Sequence, residues 1–166
     1  MEDKAVSYSG QDFSLQGEKG RFVLPADFRK AVRLSSGGDR VLCLAKHDRW
    51  TCLIGFGLSR EAALEAQIDR EERIAIERET EFDRELRATQ LFGFSKLPFD
   101  DSGRFVLPDR FLKLARIEDR LYFQGAGGFF TIWNPIELAK MGTGWDGAQA
   151  ACAELEAAAL AGKAAK

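Results

Sequence analysis

The chain has 166 residues, 45% of them hydrophobic and 30% charged, with a formal net charge of −2. This suits a globular protein built as one domain or as two small intertwined halves. No apolar run is long enough to span a bilayer, and the opening MEDKAVSYSG lacks the apolar middle of a signal peptide, so a cytoplasmic location is expected.

Taken in chain order, the first expected strand is QDFSL at residues 11–15, followed by the turn GEKG and a second strand, RFVL. Pro25 cannot donate to a strand ladder and suits the start of a helix. Phe28, Ala31 and Val32 then recur at helical spacing, and Arg29, Lys30 and Arg33 give the helix a basic end that favours its dipole. Two more strands are expected at residues 40–45 and 50–56. From residue 59 to 91 the pattern is helical, with Leu64, Ile68, Ala75, Phe82 and Leu86 on one face and a face of Glu and Arg opposite, read as solvated i,i+4 pairs.

The second half opens with SKLPF at residues 95–99, the turn DDSG and another RFVL strand stopped by Pro108. Phe111, Leu114 and Ala115 mark a short helix ending on Lys113 and Arg116. Strands at residues 120–124 and 129–133 follow, joined by the glycine-rich GAGG. GTGWDG at residues 142–147 reads as a flexible break, and the alanine-rich remainder as a frayed or loosely docked helix.

The hexapeptide GRFVLP therefore occurs twice, at residues 20–25 and 103–108. At the same offset of 83, Phe28, Lys30 and Arg33 match Phe111, Lys113 and Arg116, which brings the identities to nine. Beyond the turn SSGG the offset drops to 80, with Asp39 set against Asp119. A repeat of this size indicates duplicated architecture. Phe22, Val23 and Leu24 read as core, as do Phe105, Val106 and Leu107, Trp50 and Trp133. His47, the sole histidine, reads as exposed and inert. Cys43, Cys52 and Cys152 read as reduced thiols, which leaves no zinc site and no disulfide framework.

Net charge does not advertise nucleic acid, but its distribution is uneven. Residues 17–49 hold eight Lys/Arg against four Asp/Glu, and residues 59–88 hold six against ten. A Gly-Arg pair at a hairpin end suits DNA: glycine lets the backbone approach, and arginine offers a planar fork to phosphate or guanine. A two-stranded ribbon fits the major groove. Catalysis has little support, since one histidine, no nucleophile elbow, no P-loop and no HExxH leave no catalytic set.

These features resemble the MraZ family of bacterial transcriptional regulators. The motif DxKGRxxxPxxxR is matched by GEKGRFVLPADFR and DDSGRFVLPDRFL, with YSG at residues 8–10, LFGFS at 91–95 and FTIW at 130–133 in support. Gly17 stands where the family has Asp in the first copy; Ser102 and Leu112 replace Lys and Arg in the second. The resemblance implies an α+β, mainly β fold: a duplicated swapped-hairpin, AbrB-like double-split barrel with connecting helices. It places the halves at residues 8–57 and 92–141, the connector at 58–91 and a tail at 142–166. It also implies DNA contacts by Lys19, Gly20, Arg21, Gly103 and Arg104, with Asp100 and Arg29 in support. The implied partners are promoter direct repeats upstream of the division and cell-wall gene cluster, including the chain's own promoter, and further copies of the chain in a ring. No cofactor, metal, membrane or small-molecule substrate is implied, and the location is the nucleoid. The alternative is an AbrB-type antitoxin or an interaction module, though such antitoxins usually carry one copy of the unit.

Overall fold

The six strands of the main sheet are arranged so that each half of the chain lends its first strand to the other. The computed structural model describes residues 6–165. In chain order it contains β1 (Gln11–Leu15), β2 (Arg21–Val23), α1 (Ala26–Ser35), β3 (Val41–Lys46), β4 (Leu53–Phe56), α2 (Glu61–Glu77) and α3 (Arg84–Phe92). The second half follows with β5 (Ser95–Pro98), β6 (Arg104–Val106), α4 (Asp109–Leu114), β7 (Arg120–Gly125), β8 (Phe130–Trp133), α5 (Pro135–Ala139) and α6 (Asp146–Ala164). The main sheet runs β1-β7-β8-β4-β3-β5, and β2 pairs only with β6. All pairings are antiparallel. β1 of the first half lies on β7 of the second, and β5 lies on β3, which is the swapped arrangement of an α+β, mainly β protein.

The register exposes a pseudo-two-fold relation. Phe22 faces Phe105 at the centre of the small ribbon, and Ile54 faces Thr131 where β4 meets β8. Strand partners also correct the offset expected beyond the SSGG turn. Ser14 and Leu97 are equivalent at 83; their partners are Leu121 and Leu42, so β3 and β7 correspond at 79 and not at 80. Residues 35–38 are thus the whole insertion. The shared Asp-Arg dipeptide suggested the wrong register. Only the strand partners decide this, since Cys43 and Tyr122 are as fully buried as Leu42, Leu44, Leu121 and Phe123.

The main core lies between the sheet and the ribbon, and gathers Phe22, Leu24, Phe28, Phe105, Phe123 and Phe130. Gly55 makes room for the Phe130 ring, which a Cβ there would meet at 2.5 Å. Pro25 and Pro108 stand as the residues just before α1 and α4. Tyr8 closes one side of the core, where its hydroxyl accepts the Gly57 N–H at 2.8 Å.

Several expectations need correction. Val23 and Val106 are 38% and 59% exposed, because RFVL alternates in a one-sided ribbon and only Phe and Leu point inward. β4 starts at Leu53, since residues 47–52 form a loop around His47. His47 is buried, stacks on Trp50 at 4.6 Å and accepts the backbone N–H groups of Arg49 and Trp50. Leu86 is exposed, while Leu64, Ile68 and Leu91 form the seam between α2 and α3. The connector's ion pairs cross between helices: Arg84 reaches Glu65, Asp69 and Glu72, and Arg87 reaches Glu71 and Asp48. The C-terminal segment forms a 19-residue helix. Cys152 on α6 packs with Tyr122 and Trp133, and Glu156 pairs with Arg120 of β7 at 3.1 Å. No helix among the described residues is long and apolar enough to cross a membrane.

Candidate nucleic-acid interface

The two Gly-Arg motifs meet on one surface. In the β2–β6 ribbon Arg21 stands opposite Val106, and Val23 opposite Arg104. Since side chains alternate along a strand, Phe22 and Phe105 turn inward and these four turn outward together. The outer face is therefore a checkerboard of two arginines and two valines. Arg21, Arg104 and Val106 also line one shallow groove with Pro98 and Phe99. The sequence reading missed the two valines, although strict alternation from Arg21 and Arg104 would have placed them outside.

The turns that carry the motifs are built differently. In the second, Asp100 Oδ1 accepts the N–H groups of Ser102 (3.0 Å) and Arg104 (2.9 Å), and Oδ2 accepts Arg104 Nε at 2.7 Å. Asp100 thus shapes the turn and aims Arg104 with one carboxylate. The backbone N–H of Arg104, aided by its guanidinium and the Ser102 N–H, holds the Asp100 carboxyl below the usual carboxylate range. In the first turn Gly17 has no side chain to do this. Its N–H donates to the Arg21 carbonyl at 2.8 Å, and Arg21 Nε reaches only the Glu18 carbonyl, at 3.3 Å. Among the described residues neither Arg21 nor Lys19 has a carboxylate partner.

The glycines differ in the same way. Both adopt left-handed backbone, with φ of +68° at Gly20 and +84° at Gly103. Gly20 is exposed, and the preceding Lys19 is also left-handed, with φ 59°. Gly103 is buried. Its carbonyl accepts the Leu24 N–H at 2.8 Å, and a Cβ at this position would stand 2.6 Å from the Leu24 carbonyl oxygen. Arg29 of α1 clasps the same turn by donating to the Asp101 carbonyl at 3.3 Å, and Arg40 pairs with the Asp101 carboxylate. Arg29 is thus part of the seat of the second turn. Beside it, Lys30, Arg33 and Leu34 line a groove along α1 that opens toward Asp101.

The arrangement offers an exposed, two-armed basic ribbon with one pre-aimed guanidinium and one that no described carboxylate pairs. The described residues contain no cluster of His, Cys, Asp and Glu able to hold a metal. Burial pushes the thiols of Cys43, Cys52 and Cys152 up to about 11, 12 and 11, so they stay protonated and unreactive.

No protein-family model matches the chain. Curated relatives do. The transcriptional regulator MraZ of Parvibaculum lavamentivorans is 32% identical over 130 residues, covering 78% of this chain and 76% of the relative. That of Gluconacetobacter diazotrophicus is 29% identical over 123 residues, covering 74% and 75%. That of Rhodospirillum rubrum is 32% identical over 123 residues, covering 72% and 74%. Identity of this order, over three quarters of both chains and together with the duplicated motif, shows that the chain belongs to the MraZ family of transcriptional regulators.

Proposed function

We propose that this protein regulates transcription by laying the β2–β6 ribbon in the major groove of promoter DNA. The observation that carries this reading is the placement of Arg21 and Arg104 on one outward ribbon face. Arg104, oriented by Asp100, suits the fixed geometry that base-edge recognition needs. Lys19 and Arg21, without carboxylate partners, suit phosphate contact, and Gly20 lets the backbone come close. Gly103, Arg29 and Asp100 act by positioning. The two halves, residues 8–57 and 92–141, then read as one unit joined by the connector at 58–91.

The family resemblance supports direct repeats as the target, upstream of the division and cell-wall genes and of the chain's own gene. It also supports a homo-oligomeric ring in the nucleoid. A closed ring of head-to-tail copies would present many ribbons in register, and modest contacts would sum by avidity. Regulation of this kind requires neither a cofactor nor an enzymatic step.

A salt-titrated gel shift on the chain's own upstream DNA tests this reading. Arg21→Ala is expected to weaken binding and to reduce the salt slope by about 0.9 for each ribbon engaged, the loss of one phosphate contact apiece. Arg104→Ala is expected to lower the preference for the promoter over unrelated duplex. Unchanged affinity in the double variant would refute the ribbon assignment.

A further inference from the structure

A second cationic site lies away from the ribbon, where the connector meets the barrel. Arg60 follows β4, at the start of α2. Its guanidinium sits between the rings of Phe56 and Phe129, at 5.5 and 4.9 Å from their centroids. Its two terminal nitrogens donate only to neutral groups, Nη1 to the Gly128 carbonyl at 3.2 Å and Nη2 to Gln67 Oε1 at 3.3 Å. Nε is hidden from solvent and has no hydrogen-bond partner. Among the described residues no carboxylate lies within ion-pairing distance of Arg60. A hidden N–H without an acceptor is costly, and a partly buried charge without a counter-charge is penalised further. The neighbouring Arg87 is not in this position, because Glu71 and Asp48 hold it.

The Arg60 side chain borders a cavity. Arg60, Lys46, Arg87, Gln67, Phe129 and Asp48, whose carboxylate Arg87 holds, contribute to its wall, and its volume is about 110 Å³. Lys46 Nζ donates to the carbonyls of His47 (2.7 Å) and Trp50 (2.6 Å), which leaves its third N–H uncommitted. Arg60 Nη1 and Nη2 each carry a second N–H beyond those given to Gly128 and Gln67, and a guanidinium fork suits an oxyanion. The space suits a single such ion. Nucleotide-sized ligands need roughly 300–1,000 Å³.

We propose that this cavity binds one small tetrahedral oxyanion of the inorganic phosphate class, held by Arg60 and Lys46. The ion supplies the missing counter-charge and bridges the β3–β4 hairpin to the start of α2. In that way it braces the connector against the barrel. The cavity shares no lining residue with the ribbon groove, so the site is independent of the DNA reading.

The test is thermal unfolding of the full chain in sodium phosphate and in sodium chloride at matched ionic strength. Phosphate is expected to raise Tm with the logarithm of its concentration above Kd, by roughly 5–10 °C at a hundred times Kd. Arg60→Gln is expected to melt no lower than the parent in chloride and to lose the phosphate response. Arg60→Lys, which keeps the charge but not the fork, is expected to respond weakly. The Arg21→Ala/Arg104→Ala double variant is expected to keep the full rise, and a short DNA duplex is expected to give no rise that depends on Arg60. Absence of a rise in the parent overturns the proposal, as does a full rise in Arg60→Gln. A response lost in the ribbon double variant would assign the anion to the DNA face. Should Arg60→Gln not fold, the ³¹P resonance of phosphate titrated with the ribbon double variant decides. Broadening supports the site, and a sharp, unshifted line overturns it.

Discussion

Replacing Gly103 with alanine, and separately Gly20, probes the difference between two turns written with the same letters. At Gly20 the penalty is mainly that of placing an L-residue at φ +68°, since the nearest atom a Cβ would meet is Gln16 Nε2 at 3.4 Å. That strain is about 1–2 kcal/mol. At Gly103 the same strain applies at φ +84°, and the Cβ would also stand 2.6 Å from the Leu24 carbonyl oxygen and 3.1 Å from Arg29 Nη1. The turn must back away from β2, which stretches the 2.8 Å bond from Leu24 N–H to the Gly103 carbonyl. Losing that bond adds about 1 kcal/mol, and the displaced packing adds a similar amount. Gly103→Ala should therefore cost about 3–4 kcal/mol, against about 1–2 for Gly20→Ala. For a chain of this length each kcal/mol moves Tm by roughly 2–4 °C, so the expected losses are roughly 6–16 °C and 2–8 °C. Thermal unfolding followed by circular dichroism measures both. Equal losses, or a larger loss at Gly20, would refute the docking of the second turn against the first half.

The ribbon's two faces should separate cleanly in urea unfolding. Phe105→Ala, at a side chain 2% exposed, should cost about 3–5 kcal/mol, and Val106→Thr, 59% exposed, less than about 0.5. Asp100 has a depressed carboxyl pKa, so its contribution is complete above the unfolded value and disappears as pH falls through the folded one. Stability of the parent should fall in that acidic window more steeply than that of Asp100→Asn, as read from urea midpoints against pH; parallel curves would contradict the hydrogen-bond network. Burial pulls the His47 pKa below its ordinary value, so the folded state resists the proton that the unfolded chain accepts. Stability should decline as pH drops from about 6.5 toward the lower folded value, and His47→Gln should flatten that limb.

The duplication was legible because six consecutive identities need no structure to be seen. Strands, prolines and helix starts followed from local chemistry, and the α+β class followed from the family resemblance that the repeated motif carries. Register was less accessible. The dipeptide Asp-Arg occurs before both β3 and β7, yet Arg40 occupies the place of Asp119, because its carbonyl accepts the Phe99 N–H as the Asp119 carbonyl accepts that of Gln16. His47 looked exposed because a lone polar residue beside a turn gives no sign that Trp50 will fold back over it. The connector's charges looked like solvated i,i+4 pairs, since nothing local states that α3 returns along α2 to put Arg84 among three carboxylates.

At the candidate site the sequence by itself determined which residues stand at the turn and which lie behind it. Arginine after a turn glycine, with phenylalanine and leucine alternating behind it, already separates an outer from an inner face, since the period of a strand is local. The missing carboxylate at Gly17 was equally visible. Only the tertiary structure decided that the two arginines share one surface, because that depends on β2 choosing β6 across the pseudo-two-fold axis, 83 residues away. It also decided that Gly103 is buried while Gly20 is exposed. The same hexapeptide meets α1 and Arg29 on one side and solvent on the other, and no local pattern encodes a neighbour supplied by the other half of the chain.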